Sequence, residues 1–355
     1  MKELSVGRLA VVFAGCFLGA GYVSGQELWQ FFGAFGPVGL AGLGIAMGFL
    51  LLFGVMIFRT AQLTGKTAPD EVLIGWDIPL LRGLVGVLEV LLMFGVVAIM
   101  CAGVGALFQQ MLELPGWIGC LLFALTVLLF ALFGLEAVSS AFSVTVPLLV
   151  LATVVICVFS VRQSGITLPP PAVESSALLG NFAVGAANFA CYNLFLSVAI
   201  LAPFVAFLKR KRTIYLGVGL GTVLLGVLAL GVLITLSGLP EAVETELPML
   251  YAAAQLTSFG GWLYGIMLAL AMFGTALSSV VGIDQFFRKK WSLWAAHSRL
   301  GVAALCVLAF GASLFGFGDL IGVLYPLFGY GSIVFLLIFT VRFIKLKMNN
   351  KNPSE

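Results

Sequence analysis

The chain has 355 residues and a formal net charge of +3, and only 9% of its residues are charged whereas 61% are hydrophobic. An ordinary soluble domain carries about 25% charged residues, so this composition excludes a soluble enzyme, a disordered chain and a basic nucleic-acid-binding protein. Apolar runs of about 20 residues recur along the whole sequence, without the alternation of a β-barrel. The sequence therefore predicts an all-α, polytopic protein of the cell membrane, whose partners are the lipid bilayer and a small-molecule solute.

Hydropathy and helix-breaking residues predict ten membrane-spanning helices in a single transmembrane domain. The amino terminus begins like a signal peptide, but its apolar run is too long for one, so an uncleaved first helix is predicted. All six cysteines fall within apolar runs, which favours core residues over disulfides or metal ligands. The predicted spans cover residues 7–34, 39–63, 83–111, 115–134, 137–161, 178–206, 213–237, 259–286, 298–316 and 319–343.

The basic residues predict the orientation of these spans. With the amino terminus in the cytoplasm, 17 of the 18 lysines and arginines lie inside and Arg162 lies outside. Cytoplasmic loops of membrane proteins carry such an excess of Lys and Arg. An even number of spans then places both termini in the cytoplasm, with residues 344–355 as a tail.

The two halves of the chain share one plan. Residues 7–161 and 178–343 each hold five predicted spans, and the proline-containing segment 162–177 joins them outside. An odd number of spans inverts the second half relative to the first. Inverted repeats are typical of secondary transporters, in which discontinuous helices form the binding site near the middle of the membrane.

Glycines interrupt the middle of the first span, where Gly19, Ala20 and Gly21 precede the polar run from Ser24 to Glu27. Glycine weakens a helix and lets a ligand approach the backbone. We therefore expect a break near Gly19 to Gly21, with Ser24 close to the substrate. The alternative is close helix packing through small residues.

The sixth span carries Asn188, Tyr192 and Asn193 at its centre. Buried amides need hydrogen-bond partners in hydrocarbon. One interpretation is a second break near Cys191 to Asn193 that faces the first and completes a substrate site. The alternative is that these side chains form hydrogen bonds between unbroken helices.

Three hydroxyl groups lie close together on the eighth span, at Thr275, Ser278 and Ser279. Beside the carbonyls of a broken helix, they would form an oxygen-only site suited to a sodium ion. The alternative is that the hydroxyls bond to the preceding turn of their own helix. Sodium is the one cofactor that the sequence suggests, and no metal-binding motif accompanies it.

Two acidic residues are candidates for proton coupling or gating. Glu89 lies well inside the third span, where an acid marks a functional site by default; the alternative is a salt bridge with Arg82 or Arg8. Glu27 lies nearer an end of its span, where it either gates or is solvated. Tyr325 followed by Pro326 predicts a kink in the tenth span.

The segment GAGYVSGQELWQFF (residues 19–32), followed by GAFGPVG, resembles the signature of YkvI-like bacterial membrane proteins. These are distant members of the amino acid–polyamine–organocation superfamily, which has the leucine-transporter fold. Their usual motif is closer to GAGFATGREI, so Gln26 replaces a basic residue here.

The resemblance implies roles for particular residues. Sodium would bind the carbonyls of Phe17 and Ala20 opposite Thr275, Ser278 and Ser279. The substrate's carboxylate would meet N–H groups around Gly19 to Gly21, and its other end would meet Tyr192 and Asn193.

The leading interpretation is a secondary transporter of a small amino-acid-like or organic solute that works by alternating access. No nucleotide-binding motif of the form G-x-x-x-x-G-K-[ST] is present, so ATP does not drive transport by this chain. The hydroxyls of the eighth span favour sodium coupling, whereas Glu89 favours protons. The alternatives are a ligand-sensing receptor on the same fold, as in spore germinant receptors, an ion channel, or an enzyme, which would need a nucleophile–base pair.

Overall fold

A computed structural model of the chain describes residues 4–133, 139–170 and 177–349, with the side chains of residues 139–146 left out. The described residues form helices and no strands. Eight helices (α4, α6, α7, α8, α9, α10, α13 and α16) are long and apolar enough to cross a membrane, and α1 and α15 are shorter apolar helices. The helices are α1 Val6–Phe17, α2 Ala20–Ser24, α3 Gln26–Phe31, α4 Pro37–Thr64, α5 Pro69–Leu73, α6 Pro79–Leu112, α7 Gly116–Phe133, α8 Ser139–Ser164, α9 Phe182–Leu201, α10 Lys211–Ser237, α11 Pro240–Val243, α12 Pro248–Leu256, α13 Ser258–Lys290, α14 Ser292–Ala296, α15 Ser298–Ser313 and α16 Phe317–Asn349.

The first predicted span is interrupted twice. α1 ends at Phe17, Leu18 and the extended Gly19 follow, and α2 begins at Ala20. This break lies at the edge of the predicted Gly19–Gly21 region. A second interruption occurs at Gly25, whose φ of 85° is left-handed and therefore favours glycine. The span thus consists of three short helices, and the second turn directs α3 away from the line of α2.

Two tyrosines hold the short helix α2 in place. Tyr22 donates a hydrogen bond to the carbonyl of Leu225 on α10, at 2.7 Å. Tyr264 of α13 donates to the carbonyl of Val23, also at 2.7 Å. Because a helix of five residues has little stability of its own, these buried bonds to neighbouring helices fix its position.

The prediction of a second break, near Cys191 to Asn193, is wrong. α9 continues without interruption from Phe182 to Leu201 and tightens into a 3-10 helix only at Ala202–Phe207. The Asn193 amide donates to the carbonyl of Phe189 in its own helix, at 3.0 Å. The donor groups of Asn188 and Tyr192 bond to other helices, so these side chains form contacts between helices without unwinding α9.

The helices pack in a regular set of pairs. α1 packs on α10 and α9 packs on α4, while α6 packs on α13 and α9 also packs on α16. α6 further contacts α7, α15 and α16, and α13 further contacts α15, α7 and α8. This arrangement places α3 against α9 and α16, where the polar residues of all three meet.

Candidate functional site

Glu27 is the buried acid at the centre of this arrangement. It lies in the first turn of α3, directly after the turn at Gly25, and only 4% of its surface is exposed. Its Oε1 accepts a hydrogen bond from the hydroxyl of Tyr192 and a longer one, 3.5 Å, from the amide of Asn193. Three residues predicted for two different roles, gating and substrate binding, therefore form one cluster.

Gly21 gives the Glu27 carboxylate its space. A Cβ atom added at Gly21 would lie 2.6 Å from Oε2 of Glu27, so any other residue would displace the carboxylate. Ser24 donates to the carbonyl of Gly21 at 3.0 Å and keeps its hydroxyl within α2. The region predicted to receive a substrate's carboxylate thus lies beside the protein's own carboxylate.

Helix α16 closes the other side of the cluster. Tyr325 stacks on Tyr192, with ring centroids 4.6 Å apart and planes inclined by 22°. The fully buried Asn188 donates from Nδ2 to the carbonyl of Pro326 at 2.8 Å. Gly329 lies directly against the Asn188 side chain, where a Cβ atom would collide with it.

One acceptor in this cluster is unused. Oδ1 of Asn188 is buried and has no hydrogen-bond partner among the described residues. Leaving a buried acceptor unpaired costs about 1–3 kcal/mol. The atom lies against Gly329, where a Cβ would be only 2.0 Å away, so close packing of α9 on α16 holds it there.

Two of the three hydroxyl groups predicted to bind sodium form hydrogen bonds within α13. Thr275 donates to the carbonyl of Ala271 at 3.0 Å, and Ser279 donates to that of Thr275 at 2.9 Å. Ser278 is exposed. In the described part of the chain, no hydrogen bond links these hydroxyls to Phe17 or Ala20, both of which are buried. Thr275 and Ser279 thus bond to their own helix, as the alternative expects. A hydroxyl that donates in this way keeps its lone pairs for a cation, so the sodium site stays a prediction.

Glu89 is half-buried on α6, without a hydrogen bond or ion pair among the described residues. The salt bridge considered with Arg82 is not formed, because Arg82 pairs with Asp77 at 2.9 Å and lies 4.0 Å from Asp70. Arg8 forms no ion pair with Glu89 in these residues either. Glu89 therefore stays a candidate for proton coupling or gating.

Sequence reasoning missed how central Glu27 and Tyr325 are. Glu27 was placed near a span end because an unbroken helix through residues 7–34 would put it there. Gly25 is the residue that could have indicated this. Its left-handed conformation ends α2 and starts a new helix, α3, in which the Glu27 side chain is buried. Tyr325 was assigned only to a kink, since its stacking partner lies 133 positions earlier in the chain.

The chemistry of the cluster is that of a buried acid among aromatic rings and amides. Phe31 and Phe189 each have a ring centroid within 6 Å of that of Tyr192 (5.7 and 5.9 Å). Within the described ranges, no group of three or more His, Cys, Asp or Glu residues could hold a metal ion. The hydrogen-bond partners of Glu27 are neutral, so the site presents negative charge or a bound proton.

Comparison with known proteins gives relatives without an assigned activity. No family model matches the chain. It is 26% identical over 337 residues to the uncharacterised membrane protein YkvI of Bacillus subtilis (strain 168), covering 94% of both chains. It is also 26% identical over 343 residues to the uncharacterised protein YyaD of the same organism, covering 92% of this chain and 94% of YyaD.

Solved structures show the fold. A mutant of the manganese transporter of Eremococcus coleocola is similar with a TM-score of 0.55 and 13% identity, over 94% of this chain and 78% of that chain. The same transporter in complex with an aromatic bis-isothiourea substituted compound gives a TM-score of 0.56 and 14% identity, with the same coverage. The chain is thus a multi-pass membrane protein with the helical fold of these transporters.

Proposed function

We propose that this protein is a secondary active transporter, not an enzyme, that moves a small amino-acid-like or organic solute by alternating access. The observation that carries the proposal is Glu27, a buried acid held by Tyr192 and Asn193 beside a doubly interrupted first span. Acids inside membranes are rare and mark ion or substrate pathways. Interrupted helices inside a membrane protein are tolerated only where they are buried in protein or line a cavity, and α2 is buried. The likeness of fold to a manganese transporter supports the same class.

The proposal includes two inverted five-helix repeats, and the packing supports it. We match α1–α3 with α9, α4 with α10, α6 with α13, α7 with α15, and α8 with α16. The contact of α1 with α10 then corresponds to that of α9 with α4. The contacts of α6 with α7, and of α8 with α13, correspond likewise to those of α13 with α15, and of α16 with α6.

The solute would bind around Glu27. A carboxylate would meet the backbone N–H groups of Ala20 and Gly21 at the first turn of α2. The N–H of Gly19 already donates to the carbonyl of Phe17 at 2.9 Å, so Gly19 would take part only once that bond opens. An ammonium group would meet the carboxylate of Glu27, with Asn188 holding α9 against α16 behind it. Ser24, Tyr192 and Asn193 would complete the polar lining, and the stacked rings of Tyr192 and Tyr325 its apolar wall.

Proton coupling through Glu27 fits this geometry better than sodium coupling. When Glu27 is charged, it accepts bonds from Tyr192 and Asn193 and ties α3 to α9. A proton on the carboxylate removes the charge that strengthens these bonds, which releases α3 from α9 and so links protonation to helix movement. The alternative is sodium coupling, with the ion bound by Phe17, Ala20, Thr275, Ser278 and Ser279. Glu89 is a second proton carrier on the cytoplasmic side.

The test is transport by purified protein in liposomes. We would record solute-induced currents with amino acids, simple amines, carboxylates and Mn²⁺, driven by a pH gradient or by a sodium gradient. We expect one solute class to give pH-driven current. Glu27→Gln should reduce it about tenfold or more, because glutamine carries no titratable proton and turns a hydrogen bond to a charged group, worth about 1.5–3 kcal/mol, into a weaker neutral one. Glu113→Gln, which alters an exposed acid, is the matched control.

The outcomes separate the interpretations. Wild-type current in Glu27→Gln contradicts the role of Glu27. Current driven by sodium alone assigns coupling to the alternative site. Solute binding without current and without uptake of radiolabelled solute under either gradient contradicts transport and favours the receptor interpretation.

A further inference from the structure

A long apolar groove runs between α1, α8 and α10. It has a volume of about 690 Å³, and α8 lines it from Pro147 to Arg162. At 1.5 Å per residue this length is about 22 Å, more than the roughly 15 Å of hydrocarbon in one leaflet. Every residue that lines it is apolar except Arg162, and many, such as Val154 and Val227, are exposed.

Arg162 stands at one mouth of this groove. It lies in the last turn of α8 and is exposed, and it forms no ion pair with any described residue. This end of α8 is opposite to the end of the bundle where Leu4 bonds to Phe207, because the nearby Thr167 bonds to Ile234 at the far end of α10. A cation at a helix C-terminus is stabilised by the helix dipole. The dipole does not account for the position of Arg162 at the end of an apolar groove.

A second groove on the other face of α8 provides a comparison. It has a volume of about 640 Å³ between α8, α12 and α13 and is also mainly apolar. Gln163 lines it at the same depth as Arg162 lines the first, and no lysine or arginine lines it. The two grooves therefore match in size and position and differ in charge at the mouth.

We propose that the groove of α1, α8 and α10 binds one anionic phospholipid, with an acyl chain along the groove and the phosphate on Arg162. The guanidinium group is planar and binds phosphate oxygens in pairs, which gives direction to the contact. An acyl chain gains little over free lipid from apolar packing, since lipid tails are as apolar as the groove. Selection of this lipid therefore rests on Arg162, and the Gln163 groove accepts lipid tails without selecting the headgroup.

The experiment is native mass spectrometry of the purified full chain titrated with phosphatidylglycerol or phosphatidylcholine. For the wild type we expect a preference of about fivefold for phosphatidylglycerol, since one basic residue near a membrane surface contributes about 1 kcal/mol. Arg162→Gln should abolish the preference. Gly15→Leu fills the groove and should reduce retention of phosphatidylglycerol. Gly7→Leu is its matched control on α1, because both glycines are exposed and a Cβ at either meets no atom within 4 Å.

Moving the positive charge from one groove to the other makes the test specific. The double change Arg162→Gln with Gln163→Arg keeps the net charge and moves the cation to the other groove. We expect it to keep a preference for phosphatidylglycerol that Gly15→Leu no longer weakens. An unchanged preference in Arg162→Gln, or equal retention by Gly15→Leu and Gly7→Leu, would overturn the proposal. If Gly15→Leu does not fold, the Arg162 variants still decide.

Discussion

The groove between α1, α8 and α10 and the cleft between α9, α16 and α4 occupy corresponding places in the proposed repeats. The groove has a volume of about 690 Å³, whereas the cleft has about 210 Å³. On the same pair of helices, Asn188 and Tyr192 of α9 join α16 through a hydrogen bond to Pro326 and a ring stack on Tyr325. In the groove, α1 and α8 present small and branched apolar residues to each other, such as Ala14 and Val154.

The difference shows how one helix plan holds two arrangements. Polar and aromatic contacts fasten the first helix of the second proposed repeat to its fifth helix. In the first repeat the short helix α2 contacts α8, whereas α1 lies across the groove from it. Transporters with inverted repeats alternate by rocking one set of helices against the other. A conformation open to one side of the membrane is expected to have such a difference between its two repeats. The following predictions test whether the contacts of α9 with α16 maintain it.

The largest effect on stability is expected at Gly329, where α16 meets Asn188. Gly329→Ala places a methyl group on the Asn188 side chain, in a buried site without free space. Overpacking of this kind costs about 1–3 kcal/mol, so we expect a lower melting temperature and reduced transport. Gly311→Ala in α15 is the matched control, because a Cβ there is exposed and meets no atom within 4 Å. Equal melting temperatures would show that α9 and α16 are not held at this point.

An effect of similar size is expected from the hydroxyl group of Tyr192. Tyr192→Phe keeps the ring stack but removes a hydrogen bond to the buried carboxylate of Glu27, and a bond to a charged group contributes about 1.5–3 kcal/mol. Tyr325→Phe is the matched control, since its ring belongs to the same stack and its hydroxyl makes none of the bonds to Glu27. Melting temperature and solute-induced current should both fall in the first variant and change little in the second. A reversed order would place the bond to Glu27 outside the mechanism.

The sequence predicts the plan of the fold better than its polar contacts. A helix or a broken helix lies at each of the ten predicted positions, and eight are long enough to cross a membrane. Hydropathy is a property of each segment, so it can be read locally. The break at Leu18 and Gly19 was also visible, because glycines mark it in the sequence itself.

The error at α9 has a different cause. Asn188 and Tyr192 give the same sequence pattern whether they line a break or bond to other helices. The choice depends on Gly329 and Pro326, which lie more than 130 residues away and provide the space and the carbonyl for Asn188. No spacing within the sixth span contains that information. Glu27 was underestimated for a related reason, since its depth depends on the backbone turn at Gly25.

The smallest effect is expected from the hydroxyls of α13. Ser279 and Thr275 bond to their own helix and Ser278 is exposed, so among the described residues Ser278→Ala with Ser279→Ala removes no hydrogen bond between helices. Such substitutions usually change stability by about 0.5 kcal/mol or less, and solute-induced current in sodium and in choline buffer should change by about twofold or less. If the variant instead loses a dependence on sodium that the wild type has, these hydroxyls bind the ion. In that case sodium would link α13 to the break between α1 and α2. Closure of the groove between α1 and α8 would then be coupled to sodium rather than to Glu27.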